Sequence, residues 1–135
     1  MICVDTTFLV DLWRNVGRED AGSVQLLRQH AGQVIAVPAH AAGEFLEGGA
    51  AVSEQRFEAS LEFLRMFALG QIGMETAEQY ARIVADLRQR SLLSGMSKPD
   101  LWIAAWALEH GCPLATRNTR HFKPIHQIVL LNYEA

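Results

Sequence analysis

The sequence predicts an α/β fold, a small parallel sheet of about four to five strands flanked by helices on both faces. Three observations lead there. Short apolar runs of strand length alternate with longer stretches of helical period. The stretch 98–110 is apolar almost all round, which is normal only for a buried helix. With 135 residues the chain is long enough to bury roughly 68–70% of its unfolded surface, so a single domain over residues 1–135 is expected.

Taken in order, residues 2–5 read as a buried strand and 7–14 as a short helix that Asp5 or Thr6 caps. Residues 19–31 place Val24, Leu27 and Ala31 at helical spacing, with Gly32 as a stop. Val34-Ile35-Ala36-Val37 is the second strand, and Pro38 opens a helix to Glu47 that Gly48-Gly49 ends. Residues 54–68 form a helix with Phe57, Leu61, Leu64 and Ala68 on one face and Phe63 and Phe67 on another. Leu69 to Ile72 is a short strand. Residues 76–93 hold Ala77, Tyr80, Ala81, Val84, Leu87 and Ser91 in register, and Gly111 closes the buried helix 98–110. Pro113-Leu114-Ala115-Thr116 and Ile128-Val129-Leu130-Leu131 complete the sheet.

Half of the residues are apolar and 20% are charged, which excludes disordered and fibrous classes. No apolar run approaches the ~18 residues of a membrane span, and the N-terminus lacks a signal-peptide pattern, so a cytoplasmic protein is expected. Cys3 and Cys112 read as reduced thiols; without a Cys-x-x-Cys pair, and with five scattered histidines, zinc is not expected. A net charge of −3 argues against nucleic-acid binding by bulk charge. The distribution is uneven. Residues 1–81 carry 5 basic and 11 acidic residues, whereas 82–126 carry 7 basic and 3 acidic. A basic sector beside a set of acids suits a polyanionic substrate handled through a metal, although a solvated helix face plus a basic loop fits equally well.

Three acids stand out because a carboxylate within apolar sequence is costly unless its charge is offset. Asp5 ends the first strand, where sites gather in parallel sheets, and also suits a helix N-cap. Asp100 sits in Ser97-Lys98-Pro99-Asp100, a capping-box-like pattern that explains it when taken singly. Glu44, in mid-helix between Gly43 and Phe45, caps nothing. Asp11, Glu47 and Asp86 read as ordinary surface acids.

As a set, these residues fall in motifs that resemble a known family. Val4-Asp5-Thr6-Thr7-Phe8-Leu9-Val10-Asp11-Leu12 resembles the opening of PIN-domain ribonucleases, particularly the VapC-type toxins of bacterial toxin–antitoxin pairs. Ala41-Ala42-Gly43-Glu44-Phe45 resembles the second acidic motif of that family. Pro99-Asp100-Leu101-Trp102-Ile103-Ala104-Ala105-Trp106-Ala107 resembles the third, and Ala115-Thr116-Arg117-Asn118-Thr119-Arg120-His121-Phe122 the fourth. They occur in order and cover essentially the whole chain.

The resemblance implies a PIN-like fold and a Mg²⁺- or Mn²⁺-dependent endoribonuclease that hydrolyses RNA through a metal-activated water. Hard cations prefer oxygen donors and keep several waters, so a few carboxylates suffice. In this reading Asp5 and Asp100 hold the metal, and Glu44 binds it through water or orients the attacking hydroxide. Thr6 and Asn118 orient the carboxylates, and Arg117 and Arg120 contact RNA phosphate. The resemblance also implies a homodimer and a cognate antitoxin seated in an apolar groove, for which the apolar surface of residues 57–67 is the candidate. One departure is clear. Asn118 and His121 stand where many relatives carry a fourth acid, which favours one metal over two; His121 reads as a surface histidine beside buried Phe122. Two other classes remain open: a catalytically inactive PIN scaffold that binds RNA or protein, and a phosphoacceptor signalling domain. The latter wants two acids near the first strand, and only Asp5 is there. Walker, nucleophile-elbow and His-Glu-x-x-His patterns are absent.

Overall fold

The computed structural model describes residues 1–134. Strand β1 (Ile2–Val4) lies at the centre because all three of its side chains are buried, and a strand buried on both faces needs neighbours on both edges. β2 (Ile35–Pro38) pairs on one side and β4 (Leu114–Ala115) on the other, with Cys3 aligned to both Ala36 and Leu114. β3 (Ala68–Gly70) and β5 (Leu130–Leu131) form the edges, giving the order β3-β2-β1-β4-β5 with every neighbouring pair parallel. The chain builds β1, β2 and β3 outward in one direction, then returns to place β4 beside β1. The reversal lies between β1 and β4, the position where open α/β sheets leave a crevice at their carboxyl ends.

The helices are α1 (Thr6–Asn15), α2 (Gly22–Gln29), α3 (Ala39–Ala50), α4 (Glu54–Leu64), α5 (Met74–Gln89), α6 (Lys98–His110) and α7 (Thr119–Phe122). Helix α6 buries Leu101 and Ile103 through Ala107, as its apolar sequence predicts, so it forms the helical half of the core. Each large aliphatic side chain buried there contributes about 1.5–3 kcal/mol. Phe8, Leu9, Leu87, Leu114 and Phe122 join it from α1, α5, β4 and α7. Cys3 and Cys112 are both buried free thiols.

The structure departs from the sequence reading at several ends. Helix α3 runs through Gly48-Gly49 to Ala50 instead of stopping there. A Cβ on Gly49 would meet Ser60 Oγ at 2.4 Å, so this glycine lets α4 approach α3 and is not a terminator. The stretch expected as one helix from 76 to 93 ends at Gln89 and continues as a 3-10 turn at Leu93–Gly95. α7 escapes periodicity because one turn is too short to show any.

The double apolar face expected of residues 54–68 is partly used within the chain. Phe63 packs edge-on against Trp13 with ring centres 5.2 Å apart and also contacts Phe45 and Phe67. Leu64 is buried, whereas Leu61 and Met66 remain 40% and 63% exposed.

At the other edge, Gly70 of β3 lies against the Trp106 ring, where an added Cβ would sit 2.4 Å from ring carbons. Trp106 is fixed there by donating its indole N–H to the Gln71 carbonyl at 3.1 Å. A Gly70→Ala change is therefore expected to destabilise the fold by about 1–3 kcal/mol, the usual cost of overpacking. Urea unfolding checks this, and an unchanged midpoint would show that the ring moves aside freely.

Candidate active site

Asp5 follows β1 directly and is 2% exposed. A carboxylate in that position needs donors, and three reach it. Oδ1 accepts from the Phe8 backbone N–H at 2.9 Å and from the Thr7 hydroxyl at 2.7 Å. Oδ2 accepts from the Thr116 hydroxyl at 2.6 Å, across the β1–β4 reversal. One oxygen of Asp5 therefore caps α1, and the other reaches the residue that follows β4. Burial nevertheless pushes its pKa up; the three hydrogen bonds oppose that shift, and the nearby Asp100 charge adds to it.

Asp100 is the third residue of α6. Ser97 caps the helix by accepting from the Asp100 backbone N–H at 3.4 Å, which is the first half of a capping box. The carboxylate does not complete the box. Oδ2 lies 2.9 Å from His121 Nε2, on α7. His121 is accordingly half-buried and engaged, not the free surface histidine that the sequence suggested. Glu44 projects from α3, and its Oε1 accepts from the Thr6 hydroxyl at 2.6 Å.

Asn118 is exposed; its backbone N–H donates to Thr116 Oγ1 at 3.0 Å, which ties its loop to the group holding Asp5. Asp100, Arg117, Asn118, Arg120 and His121 line a common cleft of about 720 Å³, with Asn132 and Pro124 at its side. Glu44 lines two neighbouring grooves instead, of about 190 and 380 Å³. Among the described residues no three His, Cys, Asp or Glu side chains are close enough to form a ready-made metal site. The donor chemistry still fits a hard divalent cation, which binds through one or two carboxylates and keeps several waters. The Asp100 charge reaches Asp5, and no sulfur or imidazole is required.

The sequence reading missed Asp11. It is buried, accepts from the Tyr133 hydroxyl at 2.7 Å, and pairs with Arg117 Nε at 3.2 Å through the same Oδ2. The signal was available, since Asp11 falls at helical spacing between the buried Phe8 and Leu12. Burial, and then the Asp11 carboxylate beside it, push the Tyr133 hydroxyl far above its ordinary pKa and keep it a donor.

A model of the PIN domain matches residues 2–125. The chain belongs to the PIN-domain family. Across 98% of its length this PIN domain is 29% identical to a protein of Methanocaldococcus jannaschii named Ribonuclease VapC1, 87% of which is covered. A protein of Rickettsia bellii named Ribonuclease VapC is 35% identical over 72 residues, about half of each chain (53% and 52%). Among solved structures, VapBC2 from Rickettsia felis bound to a promoter DNA fragment superposes with a TM-score of 0.85 at 22% identity, covering 99% of this chain and 100% of that one. VapBC-1 from nontypeable Haemophilus influenzae gives 0.81 at 18% identity, covering 98% of each. At these identities the two structures bear out the five-stranded PIN-like architecture. Among the described residues, no helix is long and apolar enough to cross a membrane.

The desolvated Asp5 makes a test possible. Because the folded state holds its proton more tightly than the unfolded chain, the stability Asp5 contributes is fully present below the ordinary value of about 3.9. It is lost as pH rises through the raised folded-state value. An Asp5→Asn variant cannot ionise, so its stability relative to the parent is expected to improve from about pH 4 to about pH 7 in chelator. Thermal melts across that range check this, and a pH-independent difference would mean that the carboxylate is well solvated.

Proposed function

We propose that this chain is a divalent-metal-dependent endoribonuclease, the toxin of a toxin–antitoxin pair, acting as a homodimer on RNA. The observation that carries this reading is the junction at the β1–β4 reversal. There Thr116 binds the buried Asp5, Asp100 adds its charge, and Arg117 and Arg120 face the same cleft as Asp100. Support for the activity comes from the relatives named as ribonucleases, and support for the antitoxin from neighbours solved as VapBC assemblies. The exposed Leu61 and Met66 leave apolar surface for a partner. So does the groove lined by Val10, Trp13, Phe45 and Arg56.

In this mechanism Asp5 and Asp100 hold Mg²⁺ or Mn²⁺. When bound, the cation supplies Lewis acidity, making water easier to deprotonate and neutralising charge that gathers on the phosphate. Thr7, Thr116 and the Phe8 N–H keep Asp5 in one rotamer, so the acid does not reorganise during the reaction. Glu44, steadied by Thr6, orients the attacking water. Asn118 donates to or accepts from the reacting phosphate without adding charge, and Arg117 and Arg120 draw the RNA backbone into the cleft. His121 holds Asp100 in place of the fourth acid.

Cleavage of cellular RNA by the purified chain in Mg²⁺ or Mn²⁺ tests this directly. Asp100→Asn is expected to abolish cleavage with the fold intact, and excess chelator to do the same. Retained activity in either case would sink the mechanism, and metal-independent RNA binding without cleavage would establish an inactive scaffold.

Mn²⁺ at about 100 times its Kd should stabilise the chain by about 2.7 kcal/mol, seen as a rise in Tm that Asp5→Asn largely removes. Asn118→Asp, which restores a fourth acid, is expected to tighten Mn²⁺ binding in calorimetry. An unchanged affinity would place Asn118 away from the metal.

A further inference from the structure

We infer that Asp11 and Tyr133 are positioning residues that aim Arg117 at the phosphates of bound RNA; this rests on the nuclease reading above. Asp11 belongs to α1 but not to the Asp5–Asp100 pair, and no step of the mechanism uses it. Its side chain is 8% exposed, and a carboxylate so placed persists only when paired and hydrogen-bonded. Its partners come from distant parts of the chain. Tyr133, near the C-terminus, donates at 2.7 Å while its ring packs edge-on against Phe8 with centres 5.3 Å apart, so the hydroxyl cannot swing. Arg117 offers Nε at 3.2 Å, yet its side chain is 44% exposed and lines the cleft with Asp100, Asn118 and His121.

This division of the guanidinium is the point of the arrangement. A guanidinium has five N–H donors in a rigid planar fork. The ion pair with a buried anion holds the guanidinium beside Asp11, and the two terminal nitrogens have no protein partner among the described residues. They remain available as a fork that matches two phosphate oxygens. Arg117 follows Thr116, whose hydroxyl holds Asp5, so the fork is registered to the acidic pair within one residue. Arg120 lines the same cleft, is exposed, and has no ion-pair partner among the described residues. It supplies charge without a fixed direction. Were Asp11 only a structural anion, its neutralisation would need no cation reaching into the cleft, and a fully buried donor would serve better.

The test uses the full chain and a fluorescein-labelled RNA hairpin with a single-stranded loop. Binding is measured over a range of KCl in the Asp100→Asn background, and cleavage kinetics in the active background. Arg117→Ala is expected to raise KM about tenfold with kcat within about twofold, and to flatten the log Kd against log salt slope by about 0.7–0.9. Asp11→Asn keeps the shape and an acceptor for Tyr133 but loses the anion, and is expected to reproduce most of both changes. In the Arg117→Ala background it should add nothing. Arg117→Lys keeps the charge but lacks the fork and should rescue less than half of the KM effect. Additive losses from Asp11→Asn and Arg117→Ala, or full rescue by lysine, would overturn the positioning role. So would an Asp11→Asn protein whose KM and salt slope match the parent. If the parent itself neither cleaves RNA nor binds the hairpin, the nuclease reading fails with it; a parent that cleaves, with Asp100→Asn dead, isolates the failure to Asp11.

Discussion

The desolvated carboxylate of Asp5, at the end of a strand buried on both faces, is the constraint around which this molecule is arranged. An unsatisfied carboxylate there would cost several kcal/mol, so the surrounding chain is committed to supplying donors. Two come from the first turn of α1, which fixes where that helix begins. The third comes from Thr116, which can reach Asp5 only because β4 lies beside β1. Strand order, helix start and site geometry are therefore consequences of one buried group. The hydrogen bonds satisfy Asp5 without cancelling its electrostatic cost, since burial and Asp100 still push its pKa upward.

The acid within α1 is treated in the opposite way. Asp11 is nearly as buried as Asp5, but it meets a guanidinium and a phenol and so is neutralised within the chain. The N-cap of α1 and the helix itself thus carry two buried carboxylates with different electrostatic fates, six residues apart. Three of the seven basic residues of the 82–126 stretch, Arg117, Arg120 and Lys123, follow β4, and Asp11 and Asp100 each take one group from that segment, Arg117 and His121. The uneven distribution of charge along the chain becomes a short-range pairing in the fold. What is left over, Arg120 and the free face of Arg117, lines the same cleft as Asp100.

Packing away from the sheet shows the same economy of small residues. Gly49 admits α4 against α3, and Gly70 admits the Trp106 ring against the edge strand. The aromatic side chains of Trp13, Phe45, Phe63 and Phe67 then fill the space between α1, α3 and the end of α4. The apolar surface that remains at Leu61 and Met66 lies on α4 and just beyond its end.

By itself the sequence determined the alternation of strands and helices, the burial of β1 and α6, and the identity of Asp5, Glu44 and Asp100 as acids out of keeping with their surroundings. Those are local properties: apolar period, a stop at Gly111, and a carboxylate in an apolar run are all visible within a few residues. Asn118 and Arg117 were singled out by motif, and both line one cleft with Asp100. Only the tertiary structure decided the rest. Gly48-Gly49 reads as a stop until Ser60, on another helix, shows why no Cβ is allowed. Asp11 reads as a surface acid until Tyr133, 122 residues away, donates to it. His121 reads as a surface residue until α7, too short to leave a period, turns it toward Asp100. In each case the deciding contact joins residues far apart in the chain, and no pattern within a helix or a strand encodes the neighbour that folding brings.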